Sequence, residues 1–117
     1  MRRAEDMHWS SEERDGNIIA GPDGRIDEAN SDAFAEELAA SVTLAATAPG
    51  HRLIVNMAGL DYMSSRGLRA LTIAKRQADA AGVVIVLAAP NSIMREILAI
   101  SRYDKLFTIA KTLDSAL

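Results

Sequence analysis

The sequence predicts an α/β domain. Two continuous apolar runs rich in β-branched residues, Leu53-Ile54-Val55 and Val83 to Ala88, read as strands covered on both faces. Between them Leu68, Leu71, Ala74, Ala78 and Ala81 recur at helical spacing over about four turns, and Gly82 stands in the favoured carboxyl-terminal position. Strand, helix and strand in that order imply a right-handed parallel crossover.

The remaining elements follow in chain order. Met7 to Ser10 reads as a short first strand, and Ser11 to Gly16 as a polar loop of turn-forming character. Asn17 to Ala20 and Gly24 to Ile26 read as one strand interrupted by Gly21-Pro22-Asp23-Gly24, where proline and glycine suggest an irregular or edge strand. Asp27 or Asn30 can cap the next helix, whose apolar face is Phe34, Leu38, Val42 and Ala45. Pro49-Gly50 ends that helix. The strand opening at Leu53 leads through a short loop to the pair Ser64-Ser65 at a helix start. After Pro90, the residues Ile93, Met94, Ile97, Leu98 and Ile100 mark another amphipathic helix. Leu106 to Ala110 reads as a last strand and Thr112 to Leu117 as a short terminal helix. The leucine, isoleucine and alanine stripes read as core; they define a fold and not a function.

Composition bounds the function. The 117 residues suit a single domain, 1–117, with one hydrophobic core. A formal net charge of −3 argues against a general nucleic-acid binder, because neutralising phosphates needs clustered Lys and Arg. Cysteine is absent, which excludes disulfides and thiolate metal sites. Met1 to His8 includes basic residues but no apolar stretch of signal-peptide length, and no apolar run approaches the roughly 20 residues that span a bilayer. A cytoplasmic protein without membrane insertion is the expectation. His8 and His51 lack any close ligand spacing, so neither metal nor cofactor is expected. Ser65 lacks the G-x-S-x-G elbow of a hydrolase nucleophile, and Gly21-Pro-Asp-Gly24 lacks the pattern of a phosphate loop. Trp9, Tyr62 and Tyr103 are not interleaved with basic residues and read as packing or interface groups. No enzyme is expected.

The serine pair carries more information. The first N–H groups of a helix have no internal partner, and the helix dipole adds positive charge there, so anions are favoured. Ser64 and Ser65 suit that position either as ordinary caps or as carriers of a phosphate, and their spacing alone leaves both open. Arg66, Arg69 and Arg76, with Lys75 beside them, lie on the outer side of the same helix. They form either a solvated face or a surface suited to acidic side chains of a partner.

The string Asp61-Tyr62-Met63-Ser64-Ser65-Arg66-Gly67-Leu68-Arg69 resembles the signature of anti-sigma factor antagonists of the STAS-domain family. That signature runs Tyr or Phe, Ile or Met, Asp or Ser, Ser, a small residue, Gly, then Leu or Ile. Gly24-Arg25-Ile26-Asp27 is similar to the family's early Gly-x-Ile/Leu-Asp element. Arg52 to Met57 with Gly59-Leu60, Val83 to Ala88, and Tyr103-Asp104-Lys105-Leu106-Phe107 resemble later elements, so the likeness covers most of the chain. Asn56 and Ser64 stand where acidic residues are frequent in the family, and Arg66 where a small one is usual.

The resemblance implies a mixed β-sheet with helices packed largely on one side. It also implies a partner switch: unphosphorylated protein binds an anti-sigma factor or related serine kinase, phosphorylation at Ser65 blocks the complex, and a serine phosphatase restores it. Asp27, Ser64, Ser65, Arg66 and Arg69 are the expected partner-binding residues. The competing reading is a constitutive STAS-type scaffold subunit of a transporter or of a stress-sensing complex. A small nucleotide-binding domain would need a phosphate-binding motif that the chain lacks.

Overall fold

The structure is a computed structural model that describes residues 7–117. The basic amino-terminal residues Arg2 and Arg3 lie outside it. The first two strands, β1 (Met7–Arg14) and β2 (Asn17–Ile26), form an antiparallel hairpin closed by Asp15-Gly16. Both turn residues have positive φ, 56° and 82°, the geometry that twists a two-residue hairpin to match its strands. The stretch expected as a loop is therefore mostly strand, because Asp-Gly makes the whole turn and leaves Ser11 to Arg14 free to pair with β2.

The expected interruption of β2 is absent at Pro22, which pairs with Trp9, but the expected irregularity is present two residues on, where Gly24 has φ 103° and the register with the neighbouring parallel strand shifts between Gly24 and Arg25. The reason lies in the neighbours. Counting from the closing pair Arg14–Asn17, hydrogen-bonded and non-hydrogen-bonded pairs alternate, and Trp9–Pro22 falls on a non-hydrogen-bonded one. The imide nitrogen thus faces away from β1. On its other side β2 changes partner there, pairing with β3 (Arg52–Asn56) through Ile18–Ala20 and with β4 (Leu60–Met63) through Gly24–Ile26. Proline sits in the gap, where no donor is required.

The sheet runs β1-β2-β3-β5-β6, with β5 at Val84–Ala88 and β6 at Thr108–Ala110, and β4 joins beside the end of β2. All pairings but β1–β2 are parallel. Strand β4 lies within the loop expected between Leu53 and the serine pair. Its four residues bury only Leu60 and Met63, a run too short to show a period. The last strand begins at Thr108, not Leu106, since Tyr103–Lys105 forms a 3₁₀ turn.

Helices α1 (Ser31–Thr47) and α2 (Ser65–Ala81) pack on one face of the sheet with α3 (Ser92–Ile100), around Ile18, Ala20, Leu53, Val55, Ile85 and Leu87. The other face carries Ile19, Ile54, Val86 and Ala88 beneath the short α4 (Leu113–Ala116). Alternate residues of the central strands thus enter the two clusters, which is why their sequences read as unbroken apolar runs. The expected face of α1 is fully buried at Phe34, Leu38, Val42 and Ala45. In α2 the buried positions are Gly67, Ala70, Leu71, Ala74 and Ala78; Ala81, expected on that face, is exposed at the last turn before Gly82. In α3 Met94 and Leu98 are buried, while Ile93 and Ile100 point outward. Trp9 packs edge-on against Phe34, and Tyr103 stacks on Phe107 while its hydroxyl meets Thr72 Oγ1 at 2.6 Å.

Candidate functional site

Parallel pairing brings the carboxyl ends of β2 and β4 together. Ile26 pairs with Met63, so Asp27 and Ser64, the next residue of each chain segment, leave the sheet side by side. In α/β sheets this edge is where ligand and partner sites gather.

Ser64 is a structural cap. It is buried, its N–H donates to the Ile26 carbonyl at 2.9 Å, and its Oγ accepts from the Gly67 N–H at 3.3 Å. One residue on, Ser65 is the first residue of α2 and is exposed. The two serines therefore divide the alternatives their sequence left open: one is consumed in capping and the other faces outward at the positive end of the helix. Gly67 makes the division possible. A Cβ at that position would lie 2.5 Å from Met63 Cγ and 2.8 Å from Ile26 Cγ2, so only glycine lets the first turn of α2 rest on the ends of β2 and β4.

The loop entering α1 is held by its own side chains. Asn30 is at the cap position but does not cap; its Oδ1 accepts from Asp27 N–H at 2.9 Å and its Nδ2 donates to the Arg25 carbonyl at 2.8 Å. Asp27 Oδ1 in turn accepts from the Ala29 N–H at 3.0 Å. Of the two expected caps, neither serves α1; both fix the loop that presents Asp27. Asn56, at the end of β3, accepts from the Ala58 N–H at 3.2 Å. Asn91 caps α3 through Met94 N–H and also donates to the Leu60 carbonyl, tying the loop after β5 to β4.

Several charged side chains stand on the segments that adjoin Ser65 in the sequence and the sheet. Arg66 Nε lies 3.2 Å from Glu28 Oε1, with both side chains mostly exposed, so the pair contributes little to stability. The Arg25 guanidinium sits 4.7 Å above the Tyr62 ring. Arg69 is exposed one turn along α2, and with Arg66, Ala70 and Ile73 it lines a shallow groove of about 240 Å³ against Ser31, Asp32 and Ala35 of α1. The Ser31 hydroxyl is buried there without a hydrogen-bond partner. Glu28, Arg25 and the groove were not legible in the sequence, since each depends on which segments lie beside α2. Among the described residues no group of three His, Asp or Glu is placed to hold a metal ion, and no helix is long and apolar enough to cross a membrane.

Fold and site together define a small α/β domain that presents a helix-terminal serine at the carboxyl edge of its sheet. The chain belongs to the STAS-domain family, whose sequence model matches residues 8–116. It is 29% identical over 110 residues to BtrV of Bordetella bronchiseptica, assigned as an anti-sigma factor antagonist, covering 94% of this chain and 91% of that one. The crystal structure of an anti-sigma factor antagonist from Mycobacterium paratuberculosis has the same fold, with a TM-score of 0.83 at 21% identity over 99% of this chain and 95% of the other. The phosphorylated form of the Bacillus cell-fate determinant SpoIIAA also superposes, with a TM-score of 0.66 at 18% identity, covering 93% and 96%. The anti-sigma factor antagonists of this family are regulatory proteins and not enzymes.

Proposed function

We propose that the whole chain acts as one STAS domain and is an anti-sigma factor antagonist, working in the cytoplasm as the reversible binder of an anti-sigma factor with serine kinase activity. The observation that carries this reading is the exposure of Ser65 at the first position of α2, beside Asp27, while Ser64 is withdrawn as a cap. Asp27, Ser65, Arg66 and Arg69 form the docking edge, and Ser64, expected among the partner-binding residues, supports it from beneath as the buried cap of α2. The kinase transfers the γ-phosphoryl group of ATP to Ser65 Oγ, forming the O–P bond as the hydroxyl loses its proton, and a serine phosphatase hydrolyses it. The phosphorylated SpoIIAA structure supports the reading, because that neighbour carries phosphate on the same fold.

The physics of the switch is local. A phosphate brings about −1.5 to −2 charges and three acceptor oxygens. At a helix amino terminus these are tolerated within the domain. In the interface they are not, because an uncompensated buried charge costs about 3–5 kcal/mol, and about 4 kcal/mol is already a thousandfold in affinity.

The test combines modification with capture. Incubation with the cognate kinase and ATP adds one phosphate, located by fragment mass spectra on Ser65; Ser65→Ala abolishes it and Ser64→Ala leaves most of it. Ser65→Asp stays folded yet loses the partner, while Ser65→Ala binds as the unmodified protein does. Phosphate found mainly on Ser64 or Thr72 removes Ser65 as the acceptor. If folded Ser65→Ala and Ser65→Asp proteins capture the same partners equally, Ser65 is a surface residue of a constitutive scaffold.

A further inference from the structure

The register of α2 around Ser65 assigns a receiver for the phosphate. Each helical residue advances the direction of its side chain by roughly 100°. Taken from Ser65, Arg69 points roughly 40° away and one turn above, whereas Arg66, Ile73 and Ala70 point roughly 100°, 80° and 140° away, towards the groove on α1. Arg69 is thus the cation that stands between the acceptor serine and the groove. Arg66, though adjacent in sequence, faces round the helix and is already paired with Glu28 at 3.2 Å.

We propose that Arg69 clamps the phosphate of phosphorylated Ser65, leaving the rim of the α1–α2 groove as it does so. The inference rests on Ser65 being the phosphorylated residue. An anionic group four residues before a cationic one is the favourable order on a helix. A phosphate at the helix start also finds the unpaired N–H groups of the first turn. Arg69 and Ser65 are both exposed, so neither must be unburied to meet. The opposing charges are few: Asp32 lies across the groove on α1, Glu28 is held by Arg66, and Asp27 and Asp61 flank the strand ends. The clamp gives the switch a second component. Modification adds negative charge to the docking edge and at the same time removes from the groove the cation that an acidic partner side chain would meet there.

The experiment needs no kinase. Phosphoserine is placed at position 65 of the full chain by genetic encoding, and its titration is followed by ³¹P NMR at low salt. In the otherwise unchanged protein the phosphate titrates about half a pH unit or more below its value in Arg69→Gln, because the nearby guanidinium favours the dianion. Arg69→Lys recovers most of the difference, and Arg66→Gln leaves it in place. Coincident titrations of the parent and Arg69→Gln proteins overturn the clamp, as does an equal effect of Arg66→Gln, which would mark a diffuse field with no defined partner. The encoded phosphate is present whether or not a kinase recognises Ser65, so these outcomes stand apart from those that test the acceptor.

Discussion

Replacing Gly67 with alanine sets two known effects against each other. Glycine is about 1 kcal/mol worse than alanine inside a helix, so propensity alone makes Gly67→Ala stabilising. The structure opposes that gain. The new Cβ would stand 2.5 Å from Met63 Cγ and 2.8 Å from Ile26 Cγ2, and both neighbours are buried at the ends of paired strands. Ile26 is β-branched and has no soft rotamer to yield. Relief must come from lifting the first turn of α2, which strains the Ser64 cap. Overpacking of this kind costs about 1–3 kcal/mol, which cancels the propensity gain or leaves a net loss of up to about 2 kcal/mol. Urea denaturation with an unchanged slope reads that loss directly. A thermal midpoint lower by up to roughly 10 °C accompanies it at this chain length. A Gly67→Ala protein about 1 kcal/mol more stable than the parent, as propensity alone requires, refutes the claim that close approach of α2 to the sheet dictates this glycine.

Further outcomes follow from the same edge and from the core. Ser64→Ala removes the cap on Gly67 N–H and lowers stability by about 0.5–2 kcal/mol, measured by denaturant unfolding. Asn56→Asp keeps an oxygen for the Ala58 N–H, so it leaves the thermal midpoint nearly unchanged; in a pull-down with the native kinase it weakens binding only modestly, since a half-exposed charge is worth about 1 kcal/mol or less. Leu38→Ala, at a fully buried position of α1, costs about 2–5 kcal/mol in the same denaturation assay.

Elements with a long, clear period were legible in the sequence, and those determined by neighbours were not. Phe34, Leu38, Val42 and Ala45 announced α1 because four turns of helix repeat the signal. The runs 53–55 and 83–88 announced the central strands because both faces are covered, although the second strand begins one residue later, at Val84. Strand β4 escaped notice because its pairing with β2, and not its composition, makes it a strand. Pro22 misled for a related reason: proline is excluded from a strand only where a donor is needed, and the switch of partners from β3 to β4 removes that need. The site divides the same way. Ser64 and Ser65 stood out by motif, but which of them caps and which is exposed follows from the bond between Ser64 N–H and the Ile26 carbonyl. Glu28 gave no signal, since its contact with Arg66 joins segments 38 positions apart.

The outer strand of the hairpin has one more consequence. Among the described residues β1 pairs only with β2, so alternate residues of this eight-residue strand offer a line of backbone donors and acceptors along the rim of the sheet. Such a rim is a template on which further chains can stack. Glu12, Glu13 and Arg14 stand exposed at its far end, and adding a second molecule in register would force their charges, and the water held by them, into a narrow seam. The polar spelling that made Ser11 to Arg14 read as a loop thus lines an open sheet margin with charge, which opposes in-register stacking of a second copy there.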